Sequence, residues 1–379
     1  MNITLKEPKT IRVKLGTKID AVPAPKKVVL PEDSSYGLAW NAVAPKCDTS
    51  QVETFKRFFY NMTAADFNPD VSEWDTHNAK NFDNMFYGCT GANFNPDVSK
   101  WDMSGAEDLT AMFYNCSGAS FNPDVSNWNV SNVKTFKTMF YQCKGAAFNP
   151  DVSRWDTHSA ENMNQLFRLC SGAAFNPDVS NWDVSNVTDM TYLFYSCNSA
   201  IFNPDVSKWD TKNVEIMEGL FYGCSGAAFN PDISNWNTKK VPSFVTMFSG
   251  CAGAAFNPDL SGLDFDVCTN VSNMFYGCSG AAFNPDLTNW DTAGVSNFSR
   301  IFYQTCTLRH KVAWVPKSFK ATAAANNKKP FYESPGAQKM DIYTDATDAS
   351  TQGWGTPHAN FIMHYGATHD DYLEALAAL

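Results

Sequence analysis

Apolar and polar positions alternate along this chain in a way that predicts one short helix and one short strand, over and over. In residues 175–201, Val187, Met190, Leu193, Phe194 and Cys197 lie at i, i+3, i+6, i+7 and i+10. At 100° per residue they fall within an arc of ~120°, the stripe of an amphipathic helix. Trp182-Asp183-Val184-Ser185 stands just before it, where Asp183 or Ser185 can accept from first-turn amides and cap the helix. The Asn-Pro-Asp triplet upstream reads as a type I turn, with Asn at i and Pro at i+1. Val179 to Val184 leaves room for one short strand between turn and cap.

The pattern is an internal repeat. The tetrapeptide FNPD begins at Phe67, Phe94, Phe121, Phe148, Phe175, Phe202, Phe229, Phe256 and Phe283, always at the same interval and with no insertion. Nine such units fill 67–309. A half repeat precedes them, with Val52, Phe55, Phe58, Phe59 and Tyr60 in register with Ala79, Phe82, Met85, Phe86 and Tyr87. Twenty-seven residues are too few for a propeller blade or a two-helix repeat and suit one strand-plus-helix turn. The expected fold is therefore an α/β repeat solenoid, leucine-rich-repeat-like, over residues 47–309.

Three columns hold it together. The first is Phe86, Phe113, Phe140, Phe167, Phe194, Phe221, Phe248 and Phe275; the second is Cys89, Cys116, Cys143, Cys170, Cys197, Cys224, Cys251 and Cys278. The third is Trp74, Trp101, Trp128, Trp155, Trp182, Trp209, Trp236 and Trp290, with Leu263 the one departure. Each Phe gains ~1.5–3 kcal/mol on burial, but only a neighbouring unit can cover it, so stability accumulates from unit to unit.

The ends differ. Residues 1–46 form a basic, Pro-containing arm: Ile11, Val13 and Leu15 alternate with Thr10, Arg12 and Lys14, and Pro23, Pro25 and Pro31 follow. After 309 the register fails, with Cys306 displaced by one residue and His310 where Phe is expected. Residues 310–379 read as a C-terminal cap. In it, Thr368-His369-Asp370-Asp371 before Tyr372 to Leu376 is a capping box opening a last helix.

Units such as FNPDVSNWDVSNVTDMTYLFYSC closely resemble the BspA-like leucine-rich-repeat proteins, in the branch whose units read FNxDxSxWDxSNVxxMxxMF. The resemblance covers about 48–309. It implies an elongated right-handed solenoid with a parallel sheet on one side, and a non-catalytic role in adhesion or protein–protein contact. Surface members carry a signal peptide or lipobox. Residues 1–20 here contain no apolar h-region, and the arm and cap lie outside the pattern.

Composition narrows the function. At 44% hydrophobic and 14% aromatic the chain is too apolar for disorder. Net charge is −10, so nucleic acid is not an expected partner. No apolar run reaches the ~20 residues of a membrane-spanning helix. Residues 1–46 carry eight Lys/Arg against four acids, +4, which leaves −14 for the rest. Such asymmetry points to a docking segment.

Several columns invite chemistry. No two cysteines have zinc-site spacing, and paired disulfides would break a strict repeat, so the column reads as buried reduced thiols suited to a reducing compartment. The aspartates of FNPD, Asp70 to Asp286, could bind calcium, but turn hydrogen bonds account for them without metal. The neighbouring asparagines read as a ladder between units. His77 and His158 fall at variable positions; His358, His364 and His369 fall in the cap near Asp370 and Asp371. No phosphate loop, GxSxG or HExxH occurs. A solenoid polysaccharide-degrading enzyme would break the repeat locally; only unit 256–282 does so, with Leu263, Phe265 and Cys268, and these look like repacking. A Thr row for ice binding is too irregular.

The expectation is thus a protein without enzymatic activity, cofactor or metal. Glu73, Lys100, Arg154 and Lys208, one variable column, are the candidate recognition surface for a host-surface protein or glycan. The expected setting is a virion: a structural, fibre, decoration or receptor-binding component, oligomeric or particle-bound through other proteins at arm 1–46. The alternatives are a bacterial cell-surface adhesin and, behind it, the polysaccharide-degrading enzyme.

Overall fold

The repeat interval of the sequence reappears as backbone hydrogen bonds between successive units. The computed structural model describes residues 4–5, 37–305, 311–320, 330, 339–354 and 356–379. The chain forms two compact units, Met1–Ala160 with Leu169–Pro177, and Glu161–Arg168 with Asp178–Leu379. In the first, the amides of Phe82, Asn84, Phe86 and Gly88 donate to the carbonyls of Asp108, Thr110, Met112 and Tyr114 at 2.9, 2.8, 2.8 and 2.7 Å. In the second, Met190, Tyr192, Phe194 and Ser196 donate to Ile216, Glu218, Leu220 and Tyr222 at 2.9, 2.9, 3.0 and 2.5 Å. Every one of these bonds runs from a repeat to the repeat after it.

This corrects the helix expected over Val187–Cys197, and with it the strand-plus-helix unit. The segment is a run of tight turns, in which Leu193 donates to Met190 (3.2 Å) and Tyr195 to Tyr192 (3.1 Å). Tyr192 and Ser196 have φ of 53° and 54°. A left-handed residue in each turn redirects the intervening amides, so that they aim at the next repeat instead of at the i−4 carbonyl. One turn-length helix is too short to be stable by itself; satisfying amides across repeats removes that need. The apolar spacing misleads because consecutive tight turns also return side chains to one side every three or four residues. The strand expected at Val179–Val184 is likewise absent. Extended pairing between these repeats is reduced to single parallel bridges, Thr54–Asn81, Asn81–Asp108 and Asp108–Thr135 in one unit and Asn162–Asp189 and Asp189–Ile216 in the other; each of these residues but Thr54 stands seven after a column tryptophan.

Aromatic rings fill the interior of each unit. Phe113 is fully buried between Phe86 (centroids 5.4 Å apart) and Phe140 (5.6 Å), with planes within 3°. In the second unit, Phe221 lies 5.8 Å from Phe194 and 5.7 Å from Phe248.

At the N-terminal side, β1 (Thr4–Leu5), α1 (Gly37–Val43) and β2 (Cys47–Asp48) precede the FNPD units, and β1 pairs antiparallel with β2. Residues 6–36 of the basic arm lie outside the described residues, as do Cys306 and His310. Residues 40–49 occupy the repeat register. Asn41, one repeat interval before Asn68, accepts that residue's amide on its side-chain oxygen (2.9 Å). Ala44 accepts from the Trp74 indole (2.8 Å), and Thr49 Oγ1 donates to the Asp75 carbonyl (2.9 Å). Trp40 covers the aromatic interior, 4.9 Å from Phe58 and 5.2 Å from Phe59.

At the other side, β3 (Lys311–Trp314), β4 (Met340–Thr344) and β5 (Phe361–Tyr365) form a parallel sheet in that order. β3 continues the stacking, since the Leu287 amide donates to Trp314 (3.0 Å) and the Trp314 amide to Pro285 (3.1 Å). Lys311 is buried, and its Nζ donates to the carbonyls of Gly280 and Phe283 at 2.7 and 2.9 Å. α2 (His369–Ala377) opens with the expected capping box: Thr368 Oγ1 accepts from the Asp371 amide, and the Asp371 carboxylate accepts from that of Thr368.

Candidate recognition surface

The residues that face solvent are set by hydrogen bonds around the FNPD turn. Asp97 accepts from the amide and hydroxyl of Ser99 at 3.1 and 2.7 Å, and the same pair forms from Asp70–Ser72 through Asp232–Ser234. These bonds, the serine hydroxyl first, hold the carboxyls of Asp97, Asp151 and Asp205 below the ordinary range. The asparagine beside each aspartate accepts the next asparagine's amide: Asn95 to Asn68 at 3.0 Å, Asn257 to Asn230 at 2.9 Å. A turn tied at both ends fixes the three residues after it. Serine is half-buried, the next residue is exposed, and the tryptophan turns inward. There its indole donates to a carbonyl of the preceding unit: Trp128 to Val98 at 2.9 Å, Trp209 to Val179 at 3.1 Å.

The exposed residue is the variable column. In the first unit it holds Glu73, Lys100, Asn127 and Arg154; in the second, Asn181, Lys208, Asn235 and Asn289, with the half-buried Gly262 between the last two. Glu73 and Lys100 form an ion pair at 2.6 Å. Both side chains are about two-thirds exposed, at 67% and 64%, so water and salt screen the pair and it adds little stability.

A second surface feature escaped the sequence reading, which used Tyr60 and Tyr87 only as register marks. The residue after each column Phe is usually Tyr, and these rings stack. Tyr60, Tyr87, Tyr114 and Tyr141 are half-buried, with successive centroids 4.8, 4.4 and 4.3 Å apart. Tyr195 and Tyr222 repeat the arrangement at 4.5 Å, Tyr276 and Tyr303 at 5.1 Å. Arginines lie over terminal rings: Arg57 is 4.2 Å from the centroid of Tyr60, and Arg168 is 4.3 Å from that of Tyr195. Burial and then the neighbouring Tyr141 push the Tyr114 hydroxyl up. Because the faces stack on one another, the ladder presents edges and hydroxyls outward. The signal that would have found it is the repeat spacing already in hand.

The Phe, Trp and Cys columns are buried. Each column thiol donates to the carbonyl of a column Phe in the preceding unit, from Cys89 to Phe59 at 3.0 Å through Cys278 to Phe248 at 3.1 Å. Burial pushes up the thiols of Cys89, Cys116, Cys143, Cys170, Cys224, Cys251 and Cys278. His77 and His158 are exposed and bond to Asp75 (2.6 Å) and Asp156 (2.8 Å). His364 stacks on Tyr343 at 4.4 Å, while His369 bonds to Asp286 at 2.8 Å. Among the described residues no three His, Cys, Asp or Glu side chains converge as a metal site would need.

Register, ladders and a tied turn in every unit define a repeat protein, built from a single design used again and again. Six overlapping stretches, 37–147, 91–200, 118–226, 144–253, 194–314 and 227–341, match a single family, described as Mycoplasma protein of unknown function, DUF285. The chain belongs to that family. No curated protein and no solved structure matches it.

Proposed function

We propose that the protein is a non-catalytic repeat scaffold for protein or glycan recognition, and that the exposed column is its recognition surface. One observation carries this reading. The columns that build the units keep Phe, Trp, Cys, Asn and Asp nearly unchanged, whereas the exposed position beside the tryptophan changes charge and size from one unit to the next. A scaffold that holds its frame and varies one outward position has the pattern of a binding surface.

The setting we favour is a particle of viral or phage origin, with the basic segment docking on other proteins and the acidic repeats presented outward. The +4 and −14 charges of the two parts support that division. The second reading is a bacterial cell-surface adhesin, which the family match favours through its Mycoplasma description. The thiols do not choose between them: fully buried and held protonated, they resist oxidation in either compartment.

The test replaces Glu73, Lys100, Arg154 and Lys208 by alanine together. Binding of labelled full chain to purified particles and to intact cells is then measured, with immunogold labelling to locate the native protein. The expected result is a loss of about tenfold or more in affinity at unchanged melting temperature. Binding that survives all four substitutions overturns the reading.

A further inference from the structure

Unit 256–282 departs from the repeat design, and the departure opens a cavity. Leu263 replaces the column tryptophan, Gly262 replaces the exposed polar residue, and Phe265 stands where Thr or Val is usual. A Cβ at Gly262 would overlap the Ile233 carbonyl oxygen, so the backbone lies against the preceding repeat and only glycine fits. Phe265 turns inward, its ring centroid 4.4 Å from Trp290 and 5.5 Å from Phe244, and takes part of the missing indole volume. What remains is a cleft of about 450 Å³ over Gly262, with Leu263, Phe265 and Trp236 in its floor. A second cleft of about 350 Å³ adjoins it, sharing Ser261 and Asn289 and walled by Tyr372 of α2.

Asn235 and Asn289 flank the gap from the repeats on either side. Both are exposed, and neither carboxamide is paired among the described residues. At ~4.8 Å per repeat they stand roughly 10 Å apart. Asp264 accepts the Asp266 amide (2.8 Å) and Asp291 the Ala293 amide (3.2 Å), each on one oxygen.

We propose that the two adjoining clefts bind a neutral oligosaccharide, a proposal that rests on the exposed column being the recognition surface. Carboxamides and carboxylates at a rim serve the paired donor and acceptor demand of vicinal hydroxyls, and the apolar floor serves the C–H face of a sugar. Three carboxylates, Asp264, Asp266 and Asp291, against the single Lys239 in the lining disfavour an anionic sugar. Two clefts with a shared rim suit a short chain better than one ring.

The experiment titrates the full chain by calorimetry with maltotriose, cellotriose, triacetylchitotriose and lactose, and with 3′-sialyllactose as the anionic counterpart of lactose. At least one neutral probe is expected to bind, and sialyllactose to bind no better than lactose. The double variant Leu263→Trp with Phe265→Thr, which restores the residues of neighbouring repeats and fills the floor, is expected to lose about tenfold or more. Asn235→Ala with Asn289→Ala, on the surface, gives the same loss without touching the packing. Lys137→Ala, exposed in the other compact unit and outside the variable column, leaves saccharide binding unchanged. Failure of every neutral probe, or undiminished binding by the filled and asparagine variants, overturns the proposal. If saccharides fail while the four-alanine variant still loses particle or cell binding, the cleft proposal falls and the scaffold reading stands.

Discussion

Thr138, Thr246, Gln165 and Leu169 all sit at positive φ, between 53° and 62°, and the first two are β-branched, for which that region is an outlier. Their repeats impose the angle because only a left-handed residue sends the following amides to the next repeat. Thr138→Gly should therefore raise stability by about 0.5–1 kcal/mol, the relief of left-handed strain less the entropy of glycine, read as a shifted urea midpoint. Gly219→Ala should lower it by about 1 kcal/mol or more, because φ is 55° and the new methyl would overlap the Tyr192 ring. Phe221→Ala, between two stacked phenylalanines, should cost ~3–5 kcal/mol; a cost below about 1 kcal/mol would show that the ladder does not carry the interior. The period and the inward columns were legible in the sequence, because a side chain that returns once in every repeat survives any error of local assignment. The left-handed positions were not. Glycine occupies only some of them, and Asn, Ala, Thr, Gln, Tyr, Ser, Leu and Arg carry the same backbone without announcing it.

Among the elements, the helix expectation failed for an identifiable reason. Spacing of three and four reports which side chains go inward, and both a helix and a chain of tight turns satisfy it. What separates them is the destination of the amides, which lies in the next repeat and outside any local window. The N-terminal elements were hidden differently. Trp40, Asn41 and Ala44 stand at the register of Phe67, Asn68 and Val71, but with the proline and aspartate of FNPD gone the motif no longer shows. Removal of residues 1–46 strips the acceptors of the Asn68 amide and the Trp74 indole and uncovers Phe58 and Phe59. A chain starting at residue 47 should be about 2–4 kcal/mol less stable than one starting at 37, as two lost aromatic contacts and two orphaned donors require. Equal melting of the two would mean that α1 contributes nothing to the array. The tyrosine ladder and the 256–282 cleft show the same limit: their residues were visible, but stacking distance and cavity volume were not.

Over the molecule as a whole, small terms add along the repeat, and the thiols give the clearest case. Burial raises Cys89, Cys116, Cys143, Cys170, Cys224, Cys251 and Cys278 above the ordinary thiol value of 9.0. A folded pKa above the unfolded one means stability that is complete below about pH 9 and is lost as pH rises toward the folded values, because only the unfolded chain releases those protons. Each thiol costs up to ~1.4 kcal/mol per pH unit in that window. The urea midpoint should be level from about pH 6 to 8 and fall steeply above 9, and Cys116→Ala with Cys143→Ala should make the fall shallower. A midpoint level to about pH 11 would count against thiols held protonated in the interior. The recurrence of the same hydrogen bonds from repeat to repeat has a further consequence for descent. Each repeat offers the same set of donors and acceptors to the repeat before it and to the repeat after it, so any block can follow any other, and neither end registers how many lie between. Unequal crossing-over between such similar stretches of gene would add or drop whole blocks without breaking a bond type. Length variants among relatives should therefore differ by whole repeats and never by a fraction of one.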